Sequence, residues 1–187
     1  IPSGTILITG GTGALGAYSA RWLVEHGAKH LVLTSRRGLE AQGAVELKAE
    51  LEAKGASVSV ARCDVADAYA VRELVDSLQS ELKVVIHAAG IANYIVIEDI
   101  SAEDIENEFA AKVTGAWNLH EACAGLTLDA CIFYGSIAGL WGSGRQIAYS
   151  AANAALEGLA RFRQSQGLAG QCLHWGPWAG GGLVDQA

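Results

Sequence analysis

The chain has 187 residues, of which 51% are hydrophobic and 18% charged, with a formal net charge of −7. That size and apolar share describe one globular domain over residues 1–187 with a core of its own, which excludes a disordered chain. The acidic balance argues against a nucleic-acid partner, which selects a basic face.

In chain order, Thr5–Ile8 is predicted as the first strand, Leu15–Glu25 as a helix stopped by Gly27, and Leu31–Thr34 as the second strand. Val45–Ala53 carries helical periodicity up to Gly55, and Ser57–Ala61 is the third strand. Val71–Leu78 is helical, Val84–His87 is the fourth strand, and one long helix covers Ile105–Cys123. Ala130–Tyr134 is the fifth strand, Tyr149–Gln164 a helix and Cys172–His174 the sixth strand. Helices between strands imply parallel pairing through right-handed crossovers, hence an α/β, doubly wound parallel sheet. Trp175-Gly176-Pro177-Trp178 with Gly180–Gly182 reads as a hinge-like exit from the last of these strands.

No apolar run reaches the ~18 residues a membrane span needs, and no basic segment near Ile1 suggests a signal peptide. The expectation is a cytoplasmic protein with no membrane partner. Cys63, Cys123, Cys131 and Cys172 form no CxxC pair and have no clustered histidines, so they are expected as buried thiols and no metal site is predicted.

Between the first strand and first helix lies Thr9-Gly10-Gly11-Thr12-Gly13-Ala14-Leu15-Gly16, with Gly10, Gly13 and Gly16 in a G-x-x-G-x-x-G spacing. Glycines there allow a tight turn and a close approach to a pyrophosphate, and the helix start offers unpaired N–H groups. No Lys-Ser or Lys-Thr follows the last glycine, so it is not a nucleotide-triphosphate loop. Where an NAD enzyme carries an acidic residue for the ribose, this chain has Ser35-Arg36-Arg37. Guanidinium groups pair with a 2′-phosphate that a carboxylate would repel, which selects NADPH.

Ser136 follows the fifth strand, Tyr149 comes thirteen residues later, and Asn153 lies four beyond it on the same helix face. Lys112 stands on the preceding long helix. Together with Cys63-Asp64-Val65, His87-Ala88-Ala89-Gly90, Ser136-Ile137-Ala138-Gly139 and Trp175–Gly182, these segments resemble the short-chain dehydrogenase/reductase superfamily. Within it they resemble the ketoreductase catalytic subdomain of modular type I polyketide synthases, and the resemblance covers nearly the whole chain. Typical superfamily members place Lys four residues after Tyr; here Asn153 takes that place and Lys112 the earlier one, the swapped form of this branch.

The resemblance implies a Rossmann-like fold and NADPH-dependent reduction of a β-ketoacyl thioester held on the phosphopantetheine of an acyl carrier protein. Tyr149 would donate the proton, Lys112 would lower its pKa and hold the ribose, Ser136 would hold the carbonyl oxygen, and Asn153 a relay water. Asp64 and Val65 would meet the adenine. Ala88, Ala89 and Gly90 would let the backbone approach the cofactor, and Pro177 would border the nicotinamide. His87, Trp22, Trp117 and Trp175 read as packing residues. No Leu-Asp-Asp follows His87-Ala88-Ala89-Gly90, and Trp141 stands eight residues before Tyr149. Both features resemble the A-type, which gives the L (3S) alcohol. Gln146, where a His would mark an epimerised α-substituent, points to the other subtype.

Tyr134-Gly135-Ser136 departs from the family in keeping only the second of two serines. The resemblance also implies an N-terminal structural subdomain, other synthase domains, a lid helix and a last strand. The expectation is thus a fragment truncated before the last strand, with an open edge at the sixth. A fatty acid synthase ketoreductase, a free-standing reductase and a non-catalytic NADPH-binding domain are the alternatives. If the Arg pair reads the 2′-phosphate, Arg36→Asp should weaken NADPH binding far more than NADH binding in a titration. Equal weakening of both would place the phosphate elsewhere.

Overall fold

The structure, a computed structural model, describes residues 3–178. Six strands form one sheet: β1 (Thr5–Thr9), β2 (His30–Ser35), β3 (Ser57–Arg62), β4 (Leu82–His87), β5 (Ala130–Ser136) and β6 (Gln171–Trp175). All pairings are parallel, in the order β3-β2-β1-β4-β5-β6. This is the doubly wound, Rossmann-like sheet expected from the alternation of elements.

Side-chain alternation along each strand feeds two cores. Leu7, Val32, Val85, Cys131 and Phe133 point to one face. There they meet α3 (Ala68–Leu78) through Val71 and Val75, α5 (Gly115–Ala122) through Leu119, and α7 (Ile147–Ser165) through Leu156 and Leu159. Ile6, Ile8, Leu31, Leu33, Val84 and Ile86 point to the other. That face is covered by Leu23 and Val24 of α1 (Ala14–Glu25) and by Leu47 and Leu51 of α2 (Ala44–Ala53). Burial on both faces is why the inner strands read as near-continuous apolar runs and not as apolar–polar alternation.

Two helices begin three residues earlier than their apolar periodicity suggested, because polar caps extend them. Asp67 accepts from the backbone N–H groups of Tyr69 and Ala70 and starts α3 at Ala68. Ser101 and Asp104 form a capping box that starts α4 (Ala102–Phe109).

The predicted long helix is continuous from Ala102 to Ala122 but not uniform. Between α4 and α5, Ala110–Thr114 forms a π-helical segment, in which Gly115 N–H reaches the Ala110 carbonyl. A single helical turn, α6 (Ala138–Trp141), was not anticipated. Residues 179–182 of the predicted hinge lie outside the described residues. Among the described residues, no helix is long and apolar enough to cross a membrane.

Candidate active site

With six parallel strands, every strand ends on the same side of the sheet, and the strand order reverses between β1 and β4. Ligands of such sheets bind at that switch point. A cleft of about 380 Å³ opens there. Its walls are the β1–α1 turn, the residues after β4, the β5–α6 junction, the approach to α7, and Trp175–Trp178.

The glycine turn builds the first wall by contact distances. Gly10 has φ 64°, and a Cβ on it would stand 2.8 Å from the Ala89 backbone. A Cβ on Gly16 would stand 2.3 Å from the Gly10 carbonyl, so no other residue lets α1 start this close to β1. Helix α1 has no side-chain cap and no acidic residue in its first turn, and Gly13, Leu15 and Gly16 face the cleft. Unpaired N–H groups at the positive end of a helix dipole suit a pyrophosphate. Gly11 is buried, its N–H given to the Thr34 carbonyl at 3.0 Å, and Thr12 is half-buried beside it.

Arg36 and Arg37 are exposed immediately after β2, and neither has a hydrogen-bond or ion-pair partner among the described residues. Ser35 spends its hydroxyl on the Gly38 carbonyl at 3.3 Å. Asp64 is exposed and accepts from Ala66 N–H at 3.0 Å; it does not cap α3, a task Asp67 performs. Ala88, Gly90 and Pro177 line the cleft, while Ala89 packs under Gly10. A glycine cradle, an uncapped helix start and two unpaired guanidinium groups fit a dinucleotide carrying an extra phosphate.

Two of the predicted cofactor residues face elsewhere. The Thr9 hydroxyl lies 2.7 Å from His87 Nδ1, in the core. The Val65 side chain is buried against Gly115, where a Cβ would come within 2.6 Å of it.

The four residues expected to carry the chemistry divide between the cleft and its floor. Lys112, Ser136 and Tyr149 line the cleft, together with Trp141 and Gln146. Asn153 lies behind, fully buried, with Nδ2 donating to the Tyr149 carbonyl at 2.7 Å and Oδ1 buried with no partner among the described residues. Lys112 is 7% exposed. Its ammonium donates to the Tyr134 carbonyl at 3.0 Å and stands 5.5 Å over the Tyr149 ring. Gly90 makes room for it, since a Cβ there would stand 3.0 Å from Lys112 Cε. Ser136 Oγ accepts from Ala138 N–H at 3.2 Å.

One electrostatic expectation is corrected. Burial raises the Tyr149 pKa above the ordinary tyrosine value, while the Ser136 and Asn153 side chains pull against it. The Lys112 ammonium, which donates to the Tyr134 carbonyl and stands 5.5 Å from the centre of the Tyr149 ring, does not bring it below that value, because burial prevails. Burial also holds Lys112 itself down to about 8.

His87 is the core residue it was read to be, with a structural task besides. It is 1% exposed, and burial with the Lys112 charge pushes its pKa down to about 4. Its Nε2 lies 3.0 Å from the Lys112 carbonyl. A carbonyl only accepts, so Nε2 carries the proton and Nδ1 accepts from Thr9. A side chain thus takes a mid-helix carbonyl at the π-helical segment, a recognised cause of helix irregularity.

Trp22 and Trp117 are exposed, not core: Trp22 stacks on His26 at 4.2 Å, and Trp117 on Phe162 at 6.0 Å. Trp175 packs edge-on against Tyr134 and lines the cleft. Trp141 is 72% exposed at the mouth. Gln146 is buried, accepts from Ser143 Oγ at 2.7 Å and pairs with Ile95. Tyr94, Tyr134 and Ser143 also line the cleft. No periodicity marks them, because they meet the site only through strand order and loop closure.

A family model described as "KR domain" matches residues 4–180. Among curated proteins, the chain is 48% identical over 184 residues to "Pikromycin polyketide synthase component PikAIII" of Streptomyces venezuelae, a match covering 97% of this chain and 12% of that protein. It is 46% identical over 179 residues to "Erythronolide synthase EryA2" of Saccharopolyspora erythraea, covering 95% of this chain and 5% of that one. Among solved structures, "Structure of A1-type ketoreductase" superposes with TM-score 0.93 at 45% identity, covering 98% of this chain and 40% of that chain. "The first ketoreductase of the tylosin PKS" superposes with TM-score 0.92 at 48% identity, covering 97% and 40%. The chain therefore spans a small part of the curated relatives it matches.

The buried ammonium has a measurable signature. A lysine in an unfolded chain titrates near ~10.4, and Lys112 titrates at about 8 in the fold. Between those values the unfolded chain binds the proton that the folded chain releases, so stability rises with pH across that window. Below about 8 the penalty for the buried charge is fully present. Lys112→Met removes this titration. The stability of the parent relative to the variant, from urea unfolding of the intact protein, should climb between roughly pH 7 and pH 10. A flat difference would mean that the ammonium is solvated.

Proposed function

Since the chain belongs to the KR domain family, we propose that it is the reductase centre of a modular polyketide synthase, reducing a carrier-bound β-ketoacyl thioester to the β-hydroxyacyl thioester with NADPH. The observation that carries this reading is one cleft lined both by the uncapped start of α1 and by Lys112, Ser136 and Tyr149.

Gly10, Gly13, Gly16 and the N–H groups of α1 hold the pyrophosphate, Arg36 and Arg37 pair with the 2′-phosphate, and Pro177 borders the nicotinamide. Asp64, exposed after β3, meets the adenine in this reading. NADPH, once bound, supplies the hydride. Ser136 hydrogen-bonds the ketone oxygen and fixes it beside Tyr149. The raised pKa of Tyr149 keeps the phenol protonated at neutral pH, as a proton donor must be before the oxygen turns basic. Lys112, charged at neutral pH, stabilises the phenolate left behind and holds ribose hydroxyls. The unpartnered Asn153 Oδ1 is an acceptor for a water that returns the proton.

The A-type reading, with an L (3S) product, is supported by Trp141 at the cleft mouth and by the absence of Leu-Asp-Asp in the 91–97 segment. The 45% identity to a solved A1-type ketoreductase supports it further. Gln146, held by Ser143, favours an unepimerised α-position. Asn153 four residues after Tyr149 favours a synthase module over a free-standing reductase, and retention of Lys112, Ser136 and Tyr149 favours catalysis over a purely structural domain. The small share of each curated relative that the chain covers supports partnership with an acyl carrier protein, an N-terminal structural subdomain and other synthase domains.

The test is reduction of a 2-methyl-3-oxo thioester by the intact protein, followed by NADPH absorbance. Tyr149→Phe should lose ~10²–10⁴-fold in rate while retaining NADPH binding; near-normal turnover would overturn its role. Chiral chromatography of the product should give the 3S alcohol, and a predominantly 3R product would overturn the Trp141 reading.

A further inference from the structure

Glu108 sits on α4, four residues before Lys112, and is 3% exposed. One carboxylate oxygen, Oε1, accepts from the Asn93 backbone N–H at 2.7 Å. The other, Oε2, is buried with no hydrogen-bond partner among the described residues. A carboxylate desolvated with one oxygen unpaired costs stability. The fold has no evident need of it, since α4 is already capped by Ser101 and Asp104.

Its neighbours show what it can do. Asn93 precedes Tyr94, which lines the cleft, so the Asn93 bond ties the 91–97 wall of the cleft to the helix that carries Lys112. The far side of that wall is held separately, by Ile95 N–H donating to the Arg145 carbonyl at 2.8 Å. The titratable groups around the pair are Asp104 beside Glu108 on α4, Cys172 of β6 and His87 of β4 beside Lys112, and Tyr149 of α7 with Tyr94. Among the described residues, Glu108 is the one carboxylate that acts on Lys112.

We propose that Glu108 is a positioning residue of the reductase site: it pins the Tyr94 wall of the cleft to the Lys112 helix and provides the counter-charge for the buried ammonium. This rests on the reading of Lys112 given under Proposed function. Burial favours the neutral forms of both groups, and each opposes that effect on the other: Glu108 raises the Lys112 pKa and Lys112 lowers that of Glu108. Burial still prevails on both, leaving Glu108 raised and Lys112 lowered, and Cys172 opposes the Lys112 shift ahead of Glu108.

Glu108→Gln keeps an oxygen for Asn93 N–H and removes the charge; Glu108→Val removes both. In the intact protein with labelled lysines, NMR titration of Lys112 should move below its parent midpoint by roughly one pH unit in Glu108→Gln. The alkaline limb of kcat should move with it, leaving the KM for the ketone within about twofold. Glu108→Val should add a several-fold rise in that KM with NADPH affinity retained. If Glu108→Val does not fold, Glu108→Gln decides alone. An unmoved Lys112 titration in Glu108→Gln, or a uniform loss of rate with no shift of the limb, overturns the proposal. The NMR midpoint is read without turnover, so a parent protein that reduces no ketone would refute the proposed function while this test still stands.

Discussion

Lys112 keeps a full positive charge almost out of water, and much of the geometry around the cleft serves that placement. Its backbone carbonyl is held by His87, its ammonium by the Tyr134 carbonyl, and its stem passes where only Gly90 leaves room. A charge in that position is costly in a low-dielectric interior, yet the same environment makes it act strongly on whatever shares the cleft. Burial raises Tyr149 and lowers Lys112, so the pair sits with a protonated acid beside a cation near its own titration range. Opposed shifts of this kind are what acid–base chemistry near neutral pH requires.

The holding groups come from the sheet itself. Thr9 ends β1, His87 ends β4 and Tyr134 lies near the end of β5, three strands adjacent in the sheet. His87 bridges a strand hydroxyl to a helix carbonyl and stays neutral to about pH 4, so the bridge does not titrate in the working range. Replacing it with an apolar side chain would strand the buried Thr9 hydroxyl and leave the Lys112 carbonyl to the Gly115 N–H alone. The active-site geometry is in this sense continuous with the core. Parallel strands place these ends and the glycine turn on one side of the sheet, so the uncapped start of α1 and Lys112, Ser136 and Tyr149 share a single cleft. The local positive charges on that side of the sheet, Arg36, Arg37, Lys112 and the α1 dipole, stand against an overall charge of −7, which shows how little net charge says about a site.

What the sequence determined by itself is whatever short-range rules encode. Alternating apolar runs placed the strands, because burial on two sheet faces leaves a mark in consecutive residues. Glycine at 10, 13 and 16 marked the turn after β1, because no side chain fits where the Cβ atoms of Gly10 and Gly16 would fall. Asn153 four residues after Tyr149 put both on one helix face, because helical periodicity is local. The tertiary structure decided the rest. The π-helical segment lies where His87 bonds the Lys112 carbonyl, 25 residues away in sequence, a contact that no pattern within the helix reports. Thr9 and Val65 turned inward for the same reason: their orientation is set by what packs on them. Asp67 emerged as the cap of α3 only from the turn geometry that aims its carboxylate at the Tyr69 and Ala70 N–H groups. The direction of the Tyr149 shift was misjudged because it is a balance between burial and the hydrogen bonds that oppose it. Both are sums over neighbours brought together by strand order, and neither exists until the chain has folded.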